Sequence, residues 1–138
     1  MDASLTTEFA IYLADRPGEL AGILEAAEAA GIEITAVCVG DHNSRGLIRL
    51  LAEPEVGLRN LLESMVEAGA GPFVESQVIV CPAGDRPRLL RDLAAKLALS
   101  NINVAHAYHA PASNGTPSRV VLCVSDAHAG LETIQSLA

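Results

Sequence analysis

The chain has no tryptophan, and only two tyrosines and two phenylalanines among its 138 residues. Its core must therefore come from Leu, Ile, Val and Ala. Half of the residues are hydrophobic, so such a core can be filled. Positive charge is scarce as well: nine Lys and Arg stand against seventeen Asp and Glu, a formal net charge of −8. Phosphate backbones and anionic lipid surfaces both recruit clustered Lys and Arg. Neither a nucleic acid nor a membrane is expected as a partner. No apolar run approaches the ~20 residues of a membrane-crossing helix. The opening Met1-Asp2-Ala3-Ser4 lacks the basic region and apolar stretch of a secretory signal. A cytoplasmic location is the expectation.

Signatures of catalysis and metal binding are missing too. Cys38, Cys81 and Cys123 lie far apart in apolar stretches, with no C-x-x-C pair. That excludes the usual zinc and thioredoxin patterns, and the odd count disfavours a disulfide framework. All three are expected to be buried as small hydrophobes. His106, His109, Asp126 and His128 match no common ligand spacing, so no metal is expected. His106 and Tyr108 alternate along a strand and share a face. A hydrolase nucleophile turn of the G-x-S-x-G kind is absent, as are phosphate-loop and dinucleotide glycine patterns. No catalytic residue and no cofactor is assigned, and the chain reads as a non-enzyme.

What is present is periodicity. Phe9, Ile11 and Leu13 alternate within 7–14, as on a half-buried strand. Asp15-Arg16-Pro17-Gly18 follows, and Pro suits the first turn of a helix. Leu20, Ile23, Leu24 and Ala27 then form a helical stripe, with Gly31 at its C-terminal cap. Ile32, Ile34, Ala36 and Cys38 predict a strand over 32–39. Gly40 to Ser44 is turn chemistry, and 46–52 is a third strand. Glu53-Pro54-Glu55 opens a helix striped by Leu58, Leu61, Leu62, Met65 and Val66. Gly69-Ala70-Gly71-Pro72 stops it, and a strand follows over 73–82.

Asp85-Arg86-Pro87 then repeats Asp15-Arg16-Pro17 seventy residues on. At that offset Leu20 falls on Leu90, Ile23 on Leu93, Ile32 on Ile102 and Ile34 on Val104. Internal repeats of this kind decide architecture. A helix is predicted over 87–99 with Leu90, Leu93, Ala94 and Leu97 inward. Strands follow at 102–108 and 119–125, separated by a Pro-, Ser-, Asn- and Gly-rich loop over 109–118. A short last helix carries Leu131, Ile134 and Leu137. The chain thus reads as two α+β copies, 1–76 and 77–138. The second copy lacks a final strand of its own, and residues 72–83 are too few for two strands and a hairpin. One long strand serving both copies fits that stretch.

Residues Phe9–Ala14, Asp15-Arg16-Pro17-Gly18-Glu19-Leu20 and Ala29-Ala30-Gly31-Ile32-Glu33-Ile34 together resemble the ACT domain family. Asp85–Leu90 and Asn101-Ile102-Asn103-Val104 carry the likeness more weakly. The resemblance implies a ferredoxin-like βαββαβ fold, with two tandem copies side by side and antiparallel sheets. It also implies an amino-acid-sensing regulatory role, as in enzymes such as aspartokinase and phosphoglycerate dehydrogenase. In the family, the loop after the first strand faces the second strand of a neighbouring domain, where an amide often completes the site. Carried over, that gives a site made by Asp15, Arg16, Pro17, Gly18, Glu19 and Leu20 together with Asn101, Ile102 and Asn103. The chemistry suits a zwitterion. A helix N-terminus offers N–H donors to a carboxylate, Gly18 allows close backbone approach, and Asp15 accepts from an ammonium group. Asp15 as a helix cap and Asn101 as a left-handed helix terminus are the structural alternatives. The reciprocal site, 85–90 with Glu33, departs from the pattern because Arg88 replaces the glycine. Arg86, Arg88 and Arg91 there read as a solvated basic edge.

The function expected is an amino-acid-binding regulator that acts allosterically, at least homodimeric because open sheet edges seek partners. It has a possible partner enzyme, as a regulatory subunit acting in trans in amino-acid metabolism. The rivals are an assembly module without a ligand and a small enzyme on a ferredoxin-like fold.

Overall fold

The structure, a computed structural model, describes residues 1–14, 16–113 and 115–137. It is a small α+β fold with four helices and a six-stranded sheet ordered β2-β3-β1-β4-β6-β5. The strands are β1 (Ser4–Ala14), β2 (Glu33–His42), β3 (Arg45–Glu53), β4 (Phe73–Pro82), β5 (Val104–Ala110) and β6 (Arg119–Val124). The helices are α1 (Glu19–Ala29), α2 (Glu55–Glu67), α3 (Leu89–Leu99) and α4 (Ala127–Gln135). Two compact units partition the chain. Thr7–Ser76 forms a continuous unit, and Met1–Thr6 joins Gln77–Ala138 in a split unit. The dividing points fall inside β1 and inside β4, so each of these strands contributes to both.

In the continuous unit, β1 pairs antiparallel with β3, Phe9 opposite Leu50 and Ile11 opposite Ile48. Alternation puts Phe9, Ile11, Leu13, Ile48 and Leu50 in one core. Ile23 and Ala27 of α1 and Leu58 and Leu62 of α2 close it from the helix layer. Val66, assigned by periodicity to the α2 stripe, is 40% exposed at the helix end. The β2–β3 hairpin turns on two residues, Asn43 and Ser44, with φ of 50° and 66°. Both values lie in the left-handed region that matches hairpin twist. Arg59 of α2 grips Glu75 of β4 through both Nε and Nη2 and lies 5.6 Å over the Phe9 ring. That bidentate bond holds the Glu75 carboxyl below its ordinary range and raises the Arg59 guanidinium.

The split unit has its own core of Ile79, Cys81, Leu93, Leu97, Leu122 and Ile134. Periodicity predicts Leu90, Leu93, Ala94 and Leu97 inward. The helix buries Leu89, Leu93 and Leu97, packs Leu90 partly against the same core and exposes Ala94. Three leucines spaced by four residues fill more volume than a stripe containing alanine, and they set the helix rotation. Met1, Ala3 and Leu5 pack on this core. The N-terminal ammonium donates to the carbonyls of Leu137 at 2.7 Å and Gln135 at 3.3 Å, and Gln135 Nε2 donates to the Ala3 carbonyl. Gly130 of α4 lets helix and sheet approach closely: a Cβ there would meet Val124 and Ile79 at 2.9 and 3.0 Å.

Helices α1 and α3 end alike. Gly31 has φ 75° and Asn101 has φ 57°. Ile32 N–H donates to Ala27 and Ile102 N–H to Leu97, both at 2.9 Å. Each is a left-handed terminus followed by a buried isoleucine. The register also breaks at matching places, between Ile34 and Ala36 in β2 and between Val104 and His106 in β5. Of the cysteines, Cys81 is buried, whereas Cys38 and Cys123 are partly exposed, because their positions on β2 and β6 are not fully covered.

Candidate functional site

A pocket of about 360 Å³ opens in the continuous unit where the end of β1, the start of α1 and the end of α2 converge. Its apolar floor is Leu13, Ile23 and Met65. Arg16 and Glu19 are its charged side chains. Gly18, Gly22 and Gly69 carry open space where a side chain would project, so three stretches of bare backbone face the opening. The volume is at the lower end of the roughly 300–1,000 Å³ of small-molecule sites.

The loop that shapes the pocket depends on Gly18. It is the N-cap of α1, at φ 91° and ψ −15°, a left-handed conformation costly to a residue with a Cβ. The capping position is therefore Gly18. Arg16 Nε donates to Glu19 Oε1 at 2.6 Å across the loop, with Arg16 72% exposed and Glu19 28%. The opposite wall is made by another close approach. Tyr12 N–H donates to the Pro72 carbonyl, and a Cβ on Gly71 would lie within 2 Å of the Tyr12 oxygen.

The sequence-predicted residues divide between the units. Arg16, Gly18 and Glu19 line the pocket. Leu20 lines a neighbouring pocket of about 100 Å³, which shares Leu13, Ala14, Arg16 and Glu19 and reaches Val39 and Ile48. Pro17 is exposed at the helix start. Asp15 lies outside the described residues. Asn101, Ile102 and Asn103 belong to the split unit. There Ile102 is a core residue, Asn101 holds the α3 terminus, and Asn103 is exposed with its N–H donating to Ser125 Oγ at 3.1 Å. Met65, Gly22 and Gly69–Gly71 were not read from sequence as pocket residues; Met65 was read only as part of the α2 stripe. Gly69 to Pro72 signals only a helix stop; the Gly71-Pro72 pair, permitting a close backbone approach, is the signal available there.

The counterpart loop of the split unit is built differently. Arg88, at the Gly18 position, is the N-cap of α3 with φ −100°. The left-handed residue of that loop is Gly84, with φ 53°. Arg86 donates to the Pro82 carbonyl and Arg91 to Asp92. An open hollow of about 420 Å³ includes Arg86, His109 and Ser118. His106 and Tyr108 stack with ring centroids 6.4 Å apart. Among the described residues no three His, Cys, Asp or Glu side chains are grouped to hold a metal ion, and no helix is long and apolar enough to cross a membrane.

No family model and no curated protein matches the chain. Solved structures do. A protein of Bacteroides thetaiotaomicron aligns with a TM-score of 0.77 at 18% identity, over 98% of this chain and 90% of that one. The regulatory subunit of aspartate kinase from Thermus thermophilus gives 0.64 at 15% identity, over 96% and 94%. The same subunit from Thermus flavus gives 0.63 at 17%, over 96% and 94%. This chain has the fold of those regulatory subunits. The likeness runs over nearly all of both chains, and both aspartate kinase neighbours are regulatory rather than catalytic polypeptides.

Proposed function

We propose that the protein is a small-molecule-binding regulator made of two ACT-like βαββαβ copies, and that its ligand is an amino acid. The observation that carries the reading is the pocket against Gly18. It combines backbone laid open by glycine, one positive and one negative side chain, and an apolar floor, which are the three surfaces a zwitterion with a side chain requires. The paired helix ends and matching register breaks support two copies of one unit. The fold shared with aspartate kinase regulatory subunits supports regulation rather than catalysis.

In this reading the first turn of α1 and Arg16 receive the carboxylate, and Glu19 and Asp15 receive the ammonium group. Asn103 is the contribution expected from the second copy. Ligand binding biases the protein, as a homodimer or on a partner enzyme of amino-acid metabolism in the cytoplasm, between two states. The bias equals the ligand's differential affinity for those states. A thermal-shift screen of the protein against the standard amino acids at millimolar concentration tests this, since a ligand of the native state raises Tm by mass action. At least one is expected to raise Tm, and Asp15→Ala and Asn103→Ala are each expected to shrink that rise. A rise untouched by both substitutions moves the site elsewhere; no rise with any amino acid leaves the assembly-module reading. That alternative has its own support in β2, which ends the sheet and leaves Val37 43% and Val39 55% exposed.

A further inference from the structure

We propose that the pocket selects a neutral amino acid with an apolar side chain, aliphatic or thioether, a step that rests on the amino-acid reading above. Its charge inventory carries the point. Among the described residues lining it, the only charged side chains are Arg16 and Glu19, and they are bonded to each other at 2.6 Å. One cation and one anion match one carboxylate and one ammonium group. A zwitterion's head exchanges with that pair. An aspartate or glutamate ligand brings a second anion, and Arg16 is the one cation among the described lining residues.

The remainder of the cavity is hydrocarbon and bare backbone. Leu13 and Ile23 are 5% and 1% exposed, fixed by the core beneath them. Met65 comes from α2 on the far side and is only partly buried. A thioether on three rotatable bonds adapts to ligands of differing branch pattern. A charged side chain laid against Leu13, Ile23 and Met65 would lose its hydration with no compensating bond. Gly22 fixes the position of the site. It lies on the exposed side of α1, and a Cβ there meets nothing within 4 Å. A side chain at 22 therefore starts from open space in the pocket lining and meets no clash at its Cβ.

The test is a ligand panel on the full chain and on Gly22→Ala and Gly22→Leu, read by thermal shift and isothermal titration, with circular dichroism as the check on folding. Valine, leucine, isoleucine or methionine is expected to bind at least tenfold more tightly than lysine, arginine, aspartate or glutamate. Gly22→Leu is expected to weaken that binding at least tenfold, and Gly22→Ala far less. Binding confined to charged amino acids overturns the selectivity while leaving the amino-acid reading in place. Apolar binding that survives Gly22→Leu overturns the pocket assignment. Silence across the whole panel overturns the broader reading and this one with it.

Discussion

Gly18 and Gly22 line the same pocket and are glycine for different reasons. Gly18 holds φ 91°, where a Cβ is strained whatever the space around it. Gly18→Ala is expected to destabilise by about 1–2 kcal/mol. Gly22 is helical and open, so Gly22→Ala is expected to stabilise by up to about 1 kcal/mol. Urea unfolding midpoints of the two variants should move in opposite directions. A buried thiol gives a second prediction at this scale. Burial pushes Cys81 up to about 11 from an ordinary 9.0. The folded state then holds its proton where the unfolded chain has released it. Stability from this group is complete below about pH 9 and is lost as pH climbs towards 11, by roughly 2–3 kcal/mol in all. Cys81→Ala should flatten that alkaline limb in urea titrations run across the range. Gly18 was legible in the sequence because Pro17 and the helical stripe frame it. Gly22 was not, since its importance lies in empty space bounded by the end of α2, more than forty residues along the chain.

Hairpins and helix ends were the elements most open to reading in advance, because their chemistry is local. Gly31 and Asn101 announce left-handed termini, and the same hydrogen-bond pattern follows each. Arg88 announces a difference, and the α3 cap does take another backbone conformation from the α1 cap. The β2–β3 turn is a place where local chemistry falls short of its best. Ser44 occupies a left-handed position that glycine fills without strain. Ser44→Gly, which creates the favoured Asn-Gly pair, is expected to raise stability by about 0.5–1 kcal/mol, measured by chemical unfolding. Helix rotation was less legible. Leu89 falls on Glu19 at the seventy-residue offset, so the inward stripe of α3 was read through Leu90, which is only partly buried. The seventy-residue match reports equivalence of position, not identity of packing.

For the molecule as a whole, the least legible feature was the start of β1. Residues Ser4 to Thr6 show no alternation of their own, and their unit begins again only at Gln77. The sequence shows that the second half lacks a closing strand, but nothing local says that the first six residues belong with it. Deleting Met1–Thr6 removes Met1, Ala3 and Leu5 from the split-unit core, together with the N-terminal bonds to Gln135 and Leu137. Hydrogen exchange is expected to show lost protection in α4 and β6 and largely retained protection in α1 and β3. Uniform loss across both units would show that they unfold as one.

That division gives synthesis on the ribosome a definite order. Thr7–Ser76 emerges as an uninterrupted stretch and has all its own strands and helices once Ser76 is clear. Met1–Thr6 is made before that stretch yet belongs with Gln77 and the residues after it. Those six residues have their whole unit to join only once the chain beyond Gln77 has been made. Nascent chains stalled a few tens of residues after Ser76 should therefore resist proteolysis from Thr7 onward while their first six residues remain open to cleavage.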